Sequence, residues 1–147
     1  MARRKLFCEY GPVCYRLSLW KERLRKTLRD RRAGLCLARR RTAASLPALA
    51  KGHRSLVLRR LTGVDMALQK NKQVNLALAA GRIDGVVVEP GETFSFWALV
   101  GQPTAKRGYL PGLAIASGKA GTAVGGGLCQ LANLIHYLVL HSPLEVT

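Results

Sequence analysis

Residues Ile83-Asp84-Gly85-Val86-Val87-Val88-Glu89-Pro90-Gly91-Glu92-Thr93-Phe94-Ser95-Phe96-Trp97 decide how this chain is to be read. Ile83 to Val88 is rich in β-branched side chains, which suit a pleated and half-buried surface. Pro90-Gly91 then marks a tight turn, with Pro fixing φ at the second position and Gly taking the positive φ of the third. Thr93 to Trp97 is again β-prone and aromatic. Short extended pieces joined by tight turns do not build the long crossovers of a doubly wound parallel sheet.

Working outward, Thr62 with Asp65 three residues later resembles a capping box, and a helix is expected to run to Ala80 and stop at Gly81. Its apolar stripe is expected to carry Val64, Ala67, Leu68, Val74 and Leu78. At about 100° per residue, Asn71 and Asn75 fall in that stripe. Two amides on a buried face need hydrogen-bond partners, so the expectation is that they tie the helix to a neighbouring strand or turn. Downstream, Leu113–Ala116 is a short strand. A glycine-rich stretch then feeds a second helix from Leu128 to about His141, closed by Pro143. The expected class is α+β: a basic helical segment followed by a small mixed domain of short strands with two main helices.

The charge divides the chain. Of its 24 Lys/Arg, 18 lie in residues 1–60, together with only 3 of the 8 Asp/Glu, so nearly all of the +16 net charge belongs there. The expected organisation is a basic, partly helical segment over residues 1–60 and a nearly neutral domain over 61–147. Within the first, residues 14–33 read as a basic amphipathic helix with Leu17, Trp20, Leu24 and Leu28 on one face, and Gly34 as its stop. Arg39-Arg40-Arg41 and Leu46-Pro47 read as a connection, and residues 53–61 as either a strand or a helix. Such a charge imbalance implies an anionic partner: a membrane surface touched peripherally, an anionic cell-surface polymer, or nucleic acid. Nucleic acid ranks last, because no recognised module is present and aromatics are few in this segment. The plainer reading is a solvated face whose apolar stripe docks on the domain.

Cys8, Cys14, Cys36 and Cys129 show no Cys-x-x-Cys pair, which argues against a structural zinc and gives no disulfide framework. No cofactor signature is present, so neither metal nor cofactor is expected. Arg3, Arg4 and Lys5 open the chain as a signal peptide would, yet Glu9, Arg16, Lys21 and Glu22 break any apolar core. No apolar run reaches the ~20 residues of a membrane span. A cytoplasmic, at most membrane-peripheral, location is the expectation.

The stretch most suggestive of a site is Gly125-Gly126-Gly127-Leu128-Cys129-Gln130. Three glycines allow positive φ and close approach of a ligand, and they lead directly into a helix. Cys129 then sits in the first turn, where free N–H groups and the helix dipole favour a thiolate and can receive an oxyanion. Those parts suit a cysteine nucleophile in acyl transfer. A base is not evident: His136 lies seven residues on, ~10 Å along the helix axis, and His141 is farther. His53 would have to come from the basic segment. The alternative is that Cys129 is a small hydrophobe packed at a glycine turn, and both readings stand open. The glycines lack the Lys-Ser/Thr of a phosphate loop, so nucleotide binding is not favoured. Arg107 and Tyr109 border the site or form a solvated turn. Phe94, Phe96 and Trp97 line a groove or belong to the core. Asp84 and Glu92 flank glycine turns and make a poor acid–base pair.

From Asn75 onward the chain resembles the VanW family. The resemblance is carried by Asn75-Leu76-Ala77, Asp84-Gly85, Pro90-Gly91-Glu92-Thr93-Phe94-Ser95-Phe96, Val100-Gly101, Arg107-Gly108-Tyr109 and Gly125-Gly126-Gly127-Leu128-Cys129-Gln130, in that order over roughly half the chain. Leu6 through Ser18 also resembles the start of shorter members. The resemblance implies an accessory role in glycopeptide (vancomycin-type) resistance or bacterial cell-wall metabolism. Within that context a peptidoglycan-related ligand is expected at a site built from Gly125, Gly126, Gly127, Gln130, Asn75, Arg107 and Tyr109; the alternatives are a cysteine-dependent acyl-transfer or amidase-type enzyme with Cys129 as nucleophile, and a basic protein that binds an anionic surface or nucleic acid. Members continue past the point matching Leu144-Glu145-Val146, so the chain looks like a fragment or a truncated product.

Overall fold

The computed structural model describes residues 7, 10–44, 46–58, 65–116 and 119–146. The class is α+β, with four α-helices among the described residues and short strands between them. Two compact units can be distinguished: residues 1–37 with 90–93, and residues 38–89 with 94–147.

The first unit holds helix α1, Pro12–Arg32, followed by strand β1, Cys36–Leu37. Pro12 stands at the N-terminal end, where its missing N–H costs nothing, and Arg29, Arg31 and Arg32 complement the dipole at the other. Gly34, at φ 63°, provides the expected stop. Strand β1 pairs in parallel with β2, Glu92–Thr93. Gly91 has φ 82°, as the third position of the Pro90-Gly91 turn requires.

The second unit is organised by helix α2, Met66–Ile83. Asp65 caps it, its side chain accepting from the Ala67 N–H. Thr62, the expected start, lies outside the described residues, and so does Val64. The helix does not stop at Gly81 but continues to Ile83. Gly85, at φ 69°, provides the left-handed turn after Asp84. Arg41 donates to the carbonyls of Gly81 and Arg82, satisfying acceptors that the helix end leaves free. The strand expected over Ile83–Val88 is therefore reduced. Ile83 is helical, Gly85 turns, and only Val86 forms a bridge, antiparallel to Arg41. Thr42 N–H to Gly85 O and Val87 N–H to Arg40 O flank that bridge, and Arg40 pairs with Glu89.

The aromatic stretch Thr93–Trp97 also departs from expectation, turning at Ser95 into the short helix α3, Phe96–Val100. Trp97 faces solvent, whereas Phe96 packs against the core. The Leu113–Ala116 strand is present and longer, as β3, Pro111–Ala116. It forms an antiparallel hairpin with β4, Lys119–Val124, in which Pro111 faces Val124 and Ala116 faces Lys119. Residues 119–124 carry Lys, Gly and Ala rather than an alternating pattern, and their strand character comes from pairing with β3. Helix α4 covers Leu128–Val139, two residues short of His141. Residues 53–58 form neither strand nor helix; they run as an irregular strap beside α4.

The core of this unit is small: Ala79, Val100, Tyr109 and Leu128, with Leu76, Ile83, Phe96 and Leu131 packed around them. The buried face of α2 consists of Gln69, Lys72, Asn75 and Ala79. That is about 100° around the helix from the stripe read from hydropathy. Ala67, Val74 and Leu78 of the expected stripe are exposed instead. The reason is visible in the bonds of Asn75. Its Nδ2 donates to the carbonyls of Leu110 (2.9 Å) and Gly126 (3.0 Å), and its Oδ1 accepts from the Leu110 N–H (2.8 Å). Asn71 adds a bond from Nδ2 to Pro111 O (2.7 Å). Backbone groups that must be satisfied, rather than apolar area, set the rotation of α2.

Asn75→Leu leaves two backbone groups unpaired, the Gly126 carbonyl and the Leu110 N–H, at a cost of ~1–3 kcal/mol each, while Leu110 O keeps its bond from the Gly125 N–H. Urea unfolding should show a loss of at least ~2 kcal/mol for this variant. Val74→Ala, at an exposed position of the same helix, should lose less than ~1 kcal/mol.

Candidate functional site

The glycine turn between β4 and α4 is shaped by close approach on three sides. Gly125 has φ 77°, and a Cβ there would lie 2.4 Å from Pro103 Cβ. A Cβ on Gly126 would lie 2.2 Å from the Gly112 backbone, because the turn presses against the start of β3. Gly127 has φ 92°, and its Cβ would meet Lys72 Cγ at 2.2 Å. Each glycine is thus required for a separate reason: a left-handed backbone at the first and third, and backbone-to-backbone contact at the middle. The turn is tied down by Gly125 N–H to Leu110 O (3.0 Å) and Gly126 N–H to Ala123 O (2.9 Å).

Gly127 is the N-cap of α4 and offers no side-chain cap; the Gln130 N–H bonds back to Gly127 O (3.0 Å), and the Leu128 and Cys129 amides at the helix start have no capping side chain from it. Cys129, in that first turn, is exposed and carries a free thiol. It is not packed as a buried hydrophobe. No histidine hydrogen-bonds to the Cys129 thiol among the described residues. The histidines gather elsewhere. His53 and His141 lie on Tyr137, with ring centroids at 4.7 Å and 4.5 Å, and His141 Nδ1 is 2.8 Å from Tyr137 O. Tyr137 is eight residues along α4 from Cys129, ~12 Å at the helical rise. His136 is exposed.

Gln130, the residue after Cys129, holds the 53–58 strap: its Nε2 donates to Ser55 Oγ (3.2 Å) and Leu56 O (3.0 Å). Beneath that strap lies a cavity of about 270 Å³, lined mainly by aliphatic side chains of α2 and α4, among them Leu76, Leu131 and Leu134. Gln130 and Gln73 are on its wall.

Two residues read as bordering the site are built into the scaffold. Tyr109 is buried in the core with Leu128. Arg107 donates to Gln102 O (2.7 Å) and Val100 O (2.8 Å), with its guanidinium 6.0 Å from the Tyr109 ring centre. Neither forms the solvated turn of the simpler reading. Asn75 and Tyr109 therefore reach the glycine turn from beneath, through Leu110 and Leu128, while Cys129 faces out.

Sequence reasoning passed over Gln69 and Lys72, which are only 1% and 8% exposed. Their spacing of three with Asn75 is a helical stripe, but a polar one, and hydropathy alone does not register it. The aliphatic stem of Lys72 packs on Gly127. Gln69 Oε1 and the Tyr109 hydroxyl are buried without a hydrogen-bond partner among the described residues. Buried polar atoms of this kind are uncommon.

With this geometry in hand, comparison with known proteins places the chain. Residues 71–147 match the family described as VanW like protein, and the chain belongs to that family. It is 42% identical over 113 residues to the vancomycin B-type resistance protein VanW of Enterococcus faecalis, covering 77% of this chain and 41% of that protein. It is also 38% identical over 77 residues to the uncharacterized protein YoaR of Bacillus subtilis, covering 52% of this chain and 25% of that one. The chain thus spans about two fifths or less of the length of these relatives. No solved structure matches it. Among the described residues, no helix is long and apolar enough to cross a membrane.

Gly127→Ala should destabilise the protein by ~1–3 kcal/mol, through a strained left-handed φ and the displacement of Lys72. Adding Lys72→Ala to it should recover the steric part, so a double-mutant thermal unfolding cycle should be non-additive.

Proposed function

We propose that this chain acts as an accessory protein of vancomycin-type glycopeptide resistance or cell-wall metabolism, recognising a peptidoglycan-related molecule at the glycine turn and the start of α4. The context comes from family membership and from the name carried by the Enterococcus faecalis relative. The location rests on one observation: a glycine turn fixed from beneath by Asn75 presents an uncapped helix N-terminus beside an exposed Cys129. Peptidoglycan fragments carry carboxylates and amides, and backbone N–H groups at a helix start bind such acceptors without a dedicated cation. The unpartnered Gln69 oxygen lies about one helical turn from Lys72, whose stem packs on Gly127, and Tyr109 is buried in the core with Leu128 at the start of α4.

A second reading follows from the exposure of Cys129: cysteine-dependent acyl transfer or amide cleavage. In it the thiolate attacks the carbonyl carbon, the amide C–N bond breaks, and the amine leaves with a proton. The helix N-terminus would receive the oxyanion. That proton needs a donor, yet His53 and His141 lie on Tyr137, and His136 is exposed seven residues along α4.

Titration of the full chain with purified muropeptides, against generic polyanions at several salt concentrations, tests the first reading. Saturable muropeptide binding that persists in salt, and that falls about tenfold or more in Cys129→Trp but not in Cys129→Ser, is the expected result. Purely salt-sensitive binding blind to ligand structure would overturn it. For the second reading, the rate of Cys129 alkylation is followed against pH in a chain whose other cysteines are serine. A profile like that of an ordinary thiol, near pKa ~8.5, removes the nucleophile.

A further inference from the structure

Helix α1 carries an apolar stripe that no described residue of its own unit covers. Val13, Leu17, Trp20, Leu24 and Leu28 are between 43% and 68% exposed. At 100° per residue, these five fall within an arc of about 80°. Cations border the arc on both sides, Arg16 and Arg23 on one and Lys21 and Arg32 on the other, and Arg31 falls within it at the C-terminal end, beyond Leu28. The helix has two acids, Glu22 and Asp30, and both lie more than about 100° from the centre of the stripe. Each is already paired there, Glu22 with Arg25 (3.1 Å) and Asp30 with Lys26 (2.5 Å). The face that surrounds the leucines and Trp20 is therefore uniformly positive.

We propose that α1 lies in the plane of an anionic phospholipid surface, with Leu17, Trp20, Leu24 and Leu28 at the acyl boundary and the flanking Arg and Lys on lipid phosphates. Two properties select this occupant. An apolar stripe needs an apolar phase, which a soluble polyanion such as a teichoic-acid-type polymer does not offer. A stripe rimmed on both sides by cations needs anions at the same depth on both sides, and an anionic headgroup layer supplies them. Long basic side chains bury their stems along the apolar face while the charged ends stay in the headgroup region. Trp suits that depth, being apolar with one polar N–H. The 21 residues of α1 are too heavily charged to cross the bilayer, which leaves the in-plane orientation. This assignment does not depend on which ligand the glycine turn takes.

The test uses the full chain with Trp97→Phe, so that Trp20 alone reports. The protein is mixed with vesicles of phosphatidylglycerol and phosphatidylcholine, with phosphatidylcholine vesicles, and with soluble polyphosphate. Trp20 emission should move to shorter wavelength only with the anionic vesicles. Leu17→Glu with Leu24→Glu should weaken partitioning by at least about tenfold. Arg16→Gln with Arg23→Gln leaves the stripe intact and should lower both the partitioning and its dependence on salt. Both pairs are at exposed positions, and circular dichroism checks that the helix is retained. An unchanged Trp20 emission on the anionic vesicles overturns the proposal. So does equal partitioning of the Leu17/Leu24 variant, or an equal emission shift with polyphosphate.

Discussion

One carboxamide organises the second unit. Asn75 is fully buried and makes three hydrogen bonds to backbone, reaching Leu110 before the hairpin and Gly126 after it. A side chain that donates to two carbonyls and accepts from one N–H replaces part of a sheet ladder, joining a helix to two stretches of chain that are not strands at those points. Buried, such bonds are strong, and each partner left alone is costly. The small apolar core, four buried residues with a few half-buried neighbours, assembles around this joint rather than the reverse.

That joint explains why the turn is made of glycine. Asn75 draws the Gly126 carbonyl toward α2, which brings the turn against Gly112 on one side and the Lys72 stem on another. No side chain fits at these places. Once the turn is pinned, α4 starts at a fixed point and Cys129 faces outward, with its neighbour Gln130 turned to hold the strap over the aliphatic cavity. Rigidity below and exposure above are the properties a binding turn requires, because a site held on a fixed scaffold loses little entropy when a ligand arrives.

Helix α1 obeys a different logic. Its residues contribute no member of the buried core, and its acids are paired away from its leucines. Charge and apolar area are distributed around its axis as at an interface, whereas α2 hides amides and a lysine stem. Two helices of similar length in one chain thus invert the usual relation between hydropathy and burial: α1 exposes its leucines, and α2 buries amides and a lysine stem.

Much was legible in the sequence because it depends on local rules. The basic amphipathic helix with its Gly34 stop, the Pro90-Gly91 turn, the β3 strand, the start of α4 after three glycines and the α+β class all follow from spacing, turn chemistry and capping. The need of Asn71 and Asn75 for partners also followed, since amides in a helical stripe cannot stay unpaired. What the sequence did not reveal was decided by partners distant along the chain. Ile83–Val88 has the composition of a strand, yet among the described residues only 40–42 come alongside, and a single bridge forms. Lys119–Val124 has little strand character, yet β3 pairs with it throughout. The rotation of α2 depended on where the Leu110 and Gly126 backbones lie, and hydropathy carries no record of a carbonyl awaiting a donor. Local chemistry determined which elements exist; the tertiary structure decided which of their faces are buried, because backbone hydrogen bonds must be closed across the chain.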